Sequence, residues 1–278
     1  MEALLVAPVC YDPLTARLVE ALGFRSAYLG GFALGAVTCL SEPLTTMVEL
    51  AAHAGAIARR IRIPLIVDGD AGFGEPLHTM RAVGELEWAG VAGVHIEDQH
   101  YPKRAHYHKG VEHLVSTDVM RMKIQAALQA RADRDFVVIA RTDAMRTDGF
   151  AEGVRRGNAY AEAGADLVMC FPNTLEEARR APKEIRAPLV YVNSQGNRLG
   201  RPIFAVDELR EMGWKLVVDA ITAPLVAYQA VKRAYGELAR TGGMALDPAE
   251  MQATRQEIED LIGLPEYYRI EAATVERE

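Results

Sequence analysis

Short apolar runs alternate along the chain with longer segments in which apolar positions recur every three or four residues. The runs are Leu5–Tyr11, Ala27–Gly31, Pro64–Asp70, Gly93–Asp98, Phe136–Arg141, Asp166–Phe171, Pro188–Asn193 and Lys215–Asp219. Most are continuously apolar, the pattern of strands buried on both faces of a parallel sheet. Between them the spacing predicts helices over Pro13–Leu22, Thr45–Arg60, Leu77–Ala89, Thr117–Ala132 and Phe150–Ala163. Ala-Gly pairs at Ala89-Gly90 and Ala163-Gly164 stand where a helix must end. Glycine there supplies the left-handed cap that turns the chain into the next strand.

Eight strands alternating with helices predict an α/β fold, a closed (β/α)8 barrel of the TIM type. An open doubly wound sheet would carry a Gly-x-Gly-x-x-Gly turn after its first strand. Here that strand ends in Cys10-Tyr11-Asp12-Pro13, so the barrel is preferred. Residues 1–241 are assigned to the barrel and 242–278 to a C-terminal helical extension of the same domain. The tail holds two helical patterns, Pro224–Arg240 and Pro248–Ile262, around a Gly242-Gly243 break. One is surplus to a barrel, and a neighbouring subunit is expected to cover its apolar face.

Composition narrows the function classes. Half of the 278 residues are hydrophobic, enough for one sizeable core. Lys and Arg total 31 against 38 Asp and Glu, a net charge of −7. That balance argues against nucleic acid or an anionic membrane as partner. No apolar run approaches the roughly 20 residues that span a bilayer. The three cysteines, Cys10, Cys39 and Cys170, lie far apart without metal spacing. Free thiols and the lack of a basic leader make the cytoplasm the expected compartment.

In such a barrel the reacting groups sit at the carboxyl ends of the strands. Those positions hold Tyr11, Gly30-Gly31, Asp68, Asp70, Glu97, Asp98, Arg141, Asp143, Asn193 and Asp219. Acids converging on one mouth need a counter-charge, because desolvating each costs several kcal/mol. Asp68-Gly69-Asp70 would direct two carboxylates to one side of a strand. Oxygen-only ligands point to Mg²⁺, with Mn²⁺ as the alternative. His100, His106, His108 and His113 share one loop without helical metal spacing, so zinc is not expected, and His95 reads as a core residue.

Four segments, Val67–Gly74 (VDGDAGFG), His95–Gln99 (HIEDQ), Pro102-Lys103-Arg104 and Ala140–Ala144 (ARTDA), resemble the isocitrate lyase/phosphoenolpyruvate mutase superfamily in order and separation. The likeness runs from about residue 8 to residue 235. It implies a Mg²⁺ site, a 2-oxo or 2-hydroxy carboxylate substrate, and a homotetramer that swaps a C-terminal helix. Carried over by position, Asp68, Asp70 and Glu97 match the metal-site acids, with Glu42 at or beside an outer acid. Gly30, Gly31 and Phe32 match the segment whose amides hold the substrate carboxylate, and Asp68, Arg141 and Asn193 join it as substrate-binding positions. Lys103 and Arg141 are candidate catalytic residues, as is Tyr11 at its strand end.

One departure stands in the loop after the fourth strand. Lyases of this family carry a cysteine proton donor where this chain has Ala105, within Lys103-Arg104-Ala105-His106-Tyr107. His106, Tyr107 or His108 is then the candidate donor, His106 foremost. The expected reaction is Mg²⁺-dependent carbon–carbon cleavage of a methylisocitrate- or alkylmalate-type acid. Oxaloacetate-type decarboxylation, which needs no such donor, is the alternative, and a non-catalytic 2-oxo acid binding protein is the third reading. Tyr11, Phe32, Tyr191 and Asn197 are candidates for the pocket wall.

Overall fold

The computed structural model describes residues 4–197 and 200–276. The chain divides into two compact units, Met1–Thr222 and Ala223–Glu278. In the first, all eight expected strands form, each shorter than its apolar run: β1 (Leu5–Ala7), β2 (Ala27–Leu29), β3 (Leu65–Asp68), β4 (Gly93–Glu97), β5 (Val137–Arg141), β6 (Leu167–Met169), β7 (Leu189–Val192) and β8 (Leu216–Val218). Every pairing is parallel, and β1 pairs with β8. The ring closes where Val9, beyond β1, bridges Tyr28 of β2. This is the (β/α)8 barrel expected from the alternation of runs.

Strand periodicity sorts the side chains into two cores. Along β6, Leu167, Met169 and Phe171 point into the barrel with Ala7, Ile66, Ile139 and Val190. Their neighbours Val168 and Cys170 face outward, into the layer formed with the surrounding helices. The helix starts carry capping residues. Asp12 caps helix Pro13–Ala21, its carboxylate accepting from the Thr15 amide at 2.7 Å, with proline at the first helical position.

The second unit holds most of helix Thr222–Thr241, then Pro248–Leu261 and Leu264–Thr274. The last of these was not expected; Gly263, at φ +83°, separates it from its predecessor. The division between the two units falls at the start of the long helix. Met251, Ile258, Tyr267, Tyr268 and Ile270 are all exposed in this unit. Among the described residues no helix is long and apolar enough to cross a membrane.

Candidate active site

The polar end of the barrel follows from register. Asp68 of β3 pairs with His95 of β4, and Glu97 of β4 with Arg141 of β5. Asp68 and Arg141 each sit two residues beyond an inward isoleucine, Ile66 and Ile139, so on these strands the barrel changes from apolar to charged within one pleat. Asp68 Oδ1 accepts from the Asp70 amide at 3.0 Å, and Oδ2 from the Gly31 amide at 3.2 Å. Asp70 lies past the end of β3 at φ +51°, a left-handed backbone rare for a side chain other than glycine. The two carboxylates therefore meet through a turn and not through strand alternation.

The loop after β4 reaches back over these acids. Its base is pinned by the antiparallel Gln99–Leu114 bridge and by the His100 amide donating to the His113 carbonyl at 2.8 Å. From it Lys103 enters the site, fully buried. Its ammonium lies 2.8 Å from Glu97 Oε1 and 3.8 Å from Asp70 Oδ2, and it also bonds Glu42. Tyr107, beneath that ammonium, donates its phenol to Glu42 as well. Arg141 Nη1 is 3.0 Å from Glu97 Oε2, while Nε and Nη2 reach Asp143 at 3.2 and 3.3 Å.

Burial and charge set opposite protonation tendencies here. Burial pushes Glu97 up to about 8 and Asp70 to about 6, with the nearby cations only partly compensating. Asp68 goes the other way. Burial raises it, but the charges around it, those of Lys103 and Arg141 among them, outweigh that and bring it to about 2. Burial lowers His95 to about 4, so its imidazole is neutral at neutral pH. That ring accepts from or donates to the Tyr28 hydroxyl through Nε2 at 2.8 Å, and its Nδ1 lies 3.7 Å from Asp68.

A cavity of about 130 Å³ opens on this cluster. Gly30, Gly31, Phe32, Glu42, Asp68 and Arg141 line it, together with Tyr28, Tyr107, Met169 and Phe171. Gly31 admits no side chain, since an added Cβ would fall 2.5 Å from the Glu42 carboxyl carbon. Three expected residues stand elsewhere. Tyr11 is half-buried and does not line the cavity, its carbonyl bonded to His53 Nε2 at 2.6 Å. His106 is exposed. Asn193 spends both ends of its amide on the Phe204 backbone, at 2.8 and 3.1 Å. Conversely Tyr28 and Phe171 escaped notice because inside apolar runs they look like core, and only the inward register distinguishes them.

Whether the acids suit a divalent cation can be tested on their own contacts. Both Glu97 oxygens are buried, and neither makes a contact of hydrogen-bond geometry despite the nearby cations. The donors are all carboxylate oxygens, which fits Mg²⁺. Among the described residues no three acidic, histidine or cysteine side chains are spaced to share one ion. Lys103 stands between them instead. Mg²⁺ typically takes only one or two carboxylates and completes its shell with water and substrate oxygens, so the donor set remains suitable.

Comparison with known proteins agrees with this geometry. The profile of the phosphoenolpyruvate phosphomutase family matches residues 1–239. The 2-methylisocitrate lyase of Aeropyrum pernix is 38% identical over 273 residues, covering 97% of this chain and 86% of that protein. A crystal structure of 2,3-dimethylmalate lyase, described as a PEP mutase/isocitrate lyase superfamily member, superposes with a TM-score of 0.88 at 32% identity, covering 98% and 91% of the two chains. A phosphonopyruvate hydrolase complex with oxalate and Mg²⁺ superposes at 0.85, also at 32% identity, covering 99% and 95%.

Proposed function

The chain belongs to the phosphoenolpyruvate mutase/isocitrate lyase superfamily, and from that premise we propose that it is a Mg²⁺-dependent carbon–carbon lyase cleaving a small 2-hydroxy di- or tricarboxylate by a retro-aldol route. The observation that carries this reading is the cavity itself. It sets the Gly31 amide segment, Asp68 and Arg141 against two phenols, Tyr28 and Tyr107. An oxyanion, an activated hydroxyl and a proton donor each have a candidate group within that one space.

When bound, the cation would sit against Asp68, Asp70 and Glu97, with Glu42 outside them, and would act as a Lewis acid toward the substrate's carboxylate and 2-oxygen. Arg141 supplies fixed positive charge where oxyanion character develops. Tyr28 receives the 2-hydroxyl proton as its own passes to His95 Nε2, 2.8 Å away, and the imidazolium formed faces Asp68. The departing carbanion takes a proton from Tyr107, the member of the loop trio that lines the cavity. Lys103 holds that loop shut through Glu42 and Glu97.

Ala105 supports a second reading, decarboxylation of an oxaloacetate-type 2-oxo acid whose enolate is protonated by water. For assembly, the exposed apolar side chains of helices Pro248–Leu261 and Leu264–Thr274 support a homotetramer. The deciding experiment incubates the protein and Mg²⁺ with 2-methylisocitrate, isocitrate, 2-alkylmalates and oxaloacetate, and identifies products. A 2-oxo acid plus a second carboxylic acid, abolished by EDTA and restored by Mg²⁺, is the expected result. CO₂ and pyruvate from oxaloacetate alone would establish the second reading, and EDTA-resistant cleavage would remove the metal from the mechanism.

A further inference from the structure

Three guanidinium groups surround one aromatic ring at the mouth of the barrel. Phe171, just past β6 and buried, has the guanidinium carbons of Arg146, Arg201 and Arg141 at 4.4, 4.8 and 4.9 Å from its ring centroid. Two of the three are matched by acids. Arg141 meets Glu97 and Asp143; Arg146 lies 2.8 Å from both Asp143 and Glu112. Arg201 has no acidic partner among the described residues. Among the described residues its Nη1 reaches the Val192 carbonyl, at 3.5 Å, and its buried Nε has no hydrogen-bond partner.

Arg201 is 9% exposed, so water reaches little of it. The ring face attracts a cation but does not neutralise it. Burial, with the like charges of Arg146 and Arg141, lowers Arg201 to about 10, which still leaves it protonated at neutral pH. A buried, unmatched guanidinium is costly. Its position is nonetheless enforced by the loop that carries it. Tyr191 donates to the Pro202 carbonyl at 2.7 Å, Asn193 clasps Phe204, and Asn197 Oδ1 accepts from the Arg201 amide at 3.0 Å. Phe171, on which the Arg201 guanidinium packs, and Val192, whose carbonyl it reaches, both line the cavity that holds Asp68 and Arg141.

We propose that Arg201, supported by Arg146, is a specificity-determining anion subsite that holds a second substrate carboxylate, distinct from the one at the Asp68–Glu97 acids. The inference rests on the proposed lyase reading for the location of the first carboxylate. It narrows the substrate class to acids with a carboxylate on the departing fragment. Substrates that are neutral at that end leave Arg201 unmatched and bind poorly.

The test is calorimetric titration of the full-length protein in Mg²⁺ buffer with three probes: oxalate, malate and the 4-monoamide of malate. The wild type is expected to bind malate at least tenfold more tightly than the amide. R201Q is expected to bind malate no better than amide, with oxalate affinity within twofold of wild type, and R201K to recover part of the preference. Equal wild-type affinity for malate and its amide, failure to bind malate while binding oxalate, or undiminished malate affinity in R201Q would overturn the subsite. Should R201Q not fold, the malate–amide comparison on the wild type decides alone. Failure to bind oxalate would instead count against the metal-site reading, and the malate–amide ratio would still report on Arg201.

Discussion

The two sides of the barrel mouth are built from the same strand ends yet carry opposite electrostatic surpluses. On the β3–β4 side, Asp70, Glu97 and Glu42 crowd around one ammonium, Lys103, with Asp68 alongside, so acids outnumber their own cation. On the β6–β7 side, Arg146 and Arg201 stand on Phe171 with Asp143 and Glu112 as the nearby acids, and Arg201 goes unmatched. Arg141 joins the two, bonded to Glu97 on one side and packed on Phe171 on the other. A site that was merely stable would pair these charges with one another. Keeping them apart favours a ligand that brings a cation to one side and an anion to the other, which is what a metal-chelated polycarboxylate does.

The largest way to break the comparison is to remove the residue common to both halves. Arg141→Ala leaves Glu97 and Asp143 buried without their guanidinium. Loss of one partner from a buried pair costs about 3–5 kcal/mol of stability. Turnover should fall by about 10³-fold, as for loss of a preorganised oxyanion donor. Arg141→Lys separates the two effects, because an ammonium restores charge but cannot bridge Glu97 and Asp143 in bidentate fashion. Thermal melting near wild type with kcat still reduced by about 10²-fold is expected for the lysine variant. Full turnover in it would show that Arg141 is only structural.

A smaller change sharpens the acid-rich side. Tyr107→Phe keeps the ring under Lys103 but removes the hydroxyl that Glu42 accepts. If Tyr107 is the proton donor, kcat falls by about 10²-fold, within the range for general acid catalysis. In D₂O the wild type is expected to deuterate one face of the departing carbanion, and Tyr107→Phe to lose that facial selectivity as water takes over the protonation. His106→Ala serves as the contrast, since the exposed imidazole lies outside the cavity, and its turnover should match wild type. A silent Tyr107→Phe together with an inactive His106→Ala would reverse that assignment.

How much of this could be read from the chain depends on what each residue does locally. The eight strands were legible because a parallel barrel needs continuous apolar runs, and those are unambiguous in one dimension. Asp68, Asp70, Glu97 and Arg141 were legible because a charge at the end of such a run has no local reason to be there. Tyr28 and Phe171 were not, since an aromatic inside an apolar run is indistinguishable from core until register decides which face it takes. Arg146 and Arg201 were overlooked for the opposite reason. Arginines in loops and short helices are ordinary surface residues until tertiary packing buries them, and the ring they share is 25 positions from one and 30 from the other in the chain. Asn193 was placed at the correct strand end, but that its amide binds the backbone of its own loop could not be read there, because the partner lies eleven residues on, across a turn.

The smallest change asks whether that loop, rather than the ring, positions the cationic side. Tyr191→Phe preserves the packing of the ring on Phe204 and Trp214 at 5.6 and 4.8 Å and deletes only the bond to the Pro202 carbonyl. One such hydrogen bond contributes about 1 kcal/mol net, and more where the carbonyl left behind has no water. In a chain of this size that corresponds to a melting point lower by about 2–4 °C. Pro202 follows Arg201 directly, so the loosened carbonyl acts on the guanidinium and on nothing in the acid cluster. KM for a 2-hydroxy diacid should rise a few-fold, about the effect of 1 kcal/mol, while kcat and oxalate affinity stay constant. A lower melting point with an unchanged KM would mean that Phe171 alone holds Arg201 in place. An equal loss in oxalate affinity would mean that the two sides of the mouth are not independent, and the contrast drawn between them would fail.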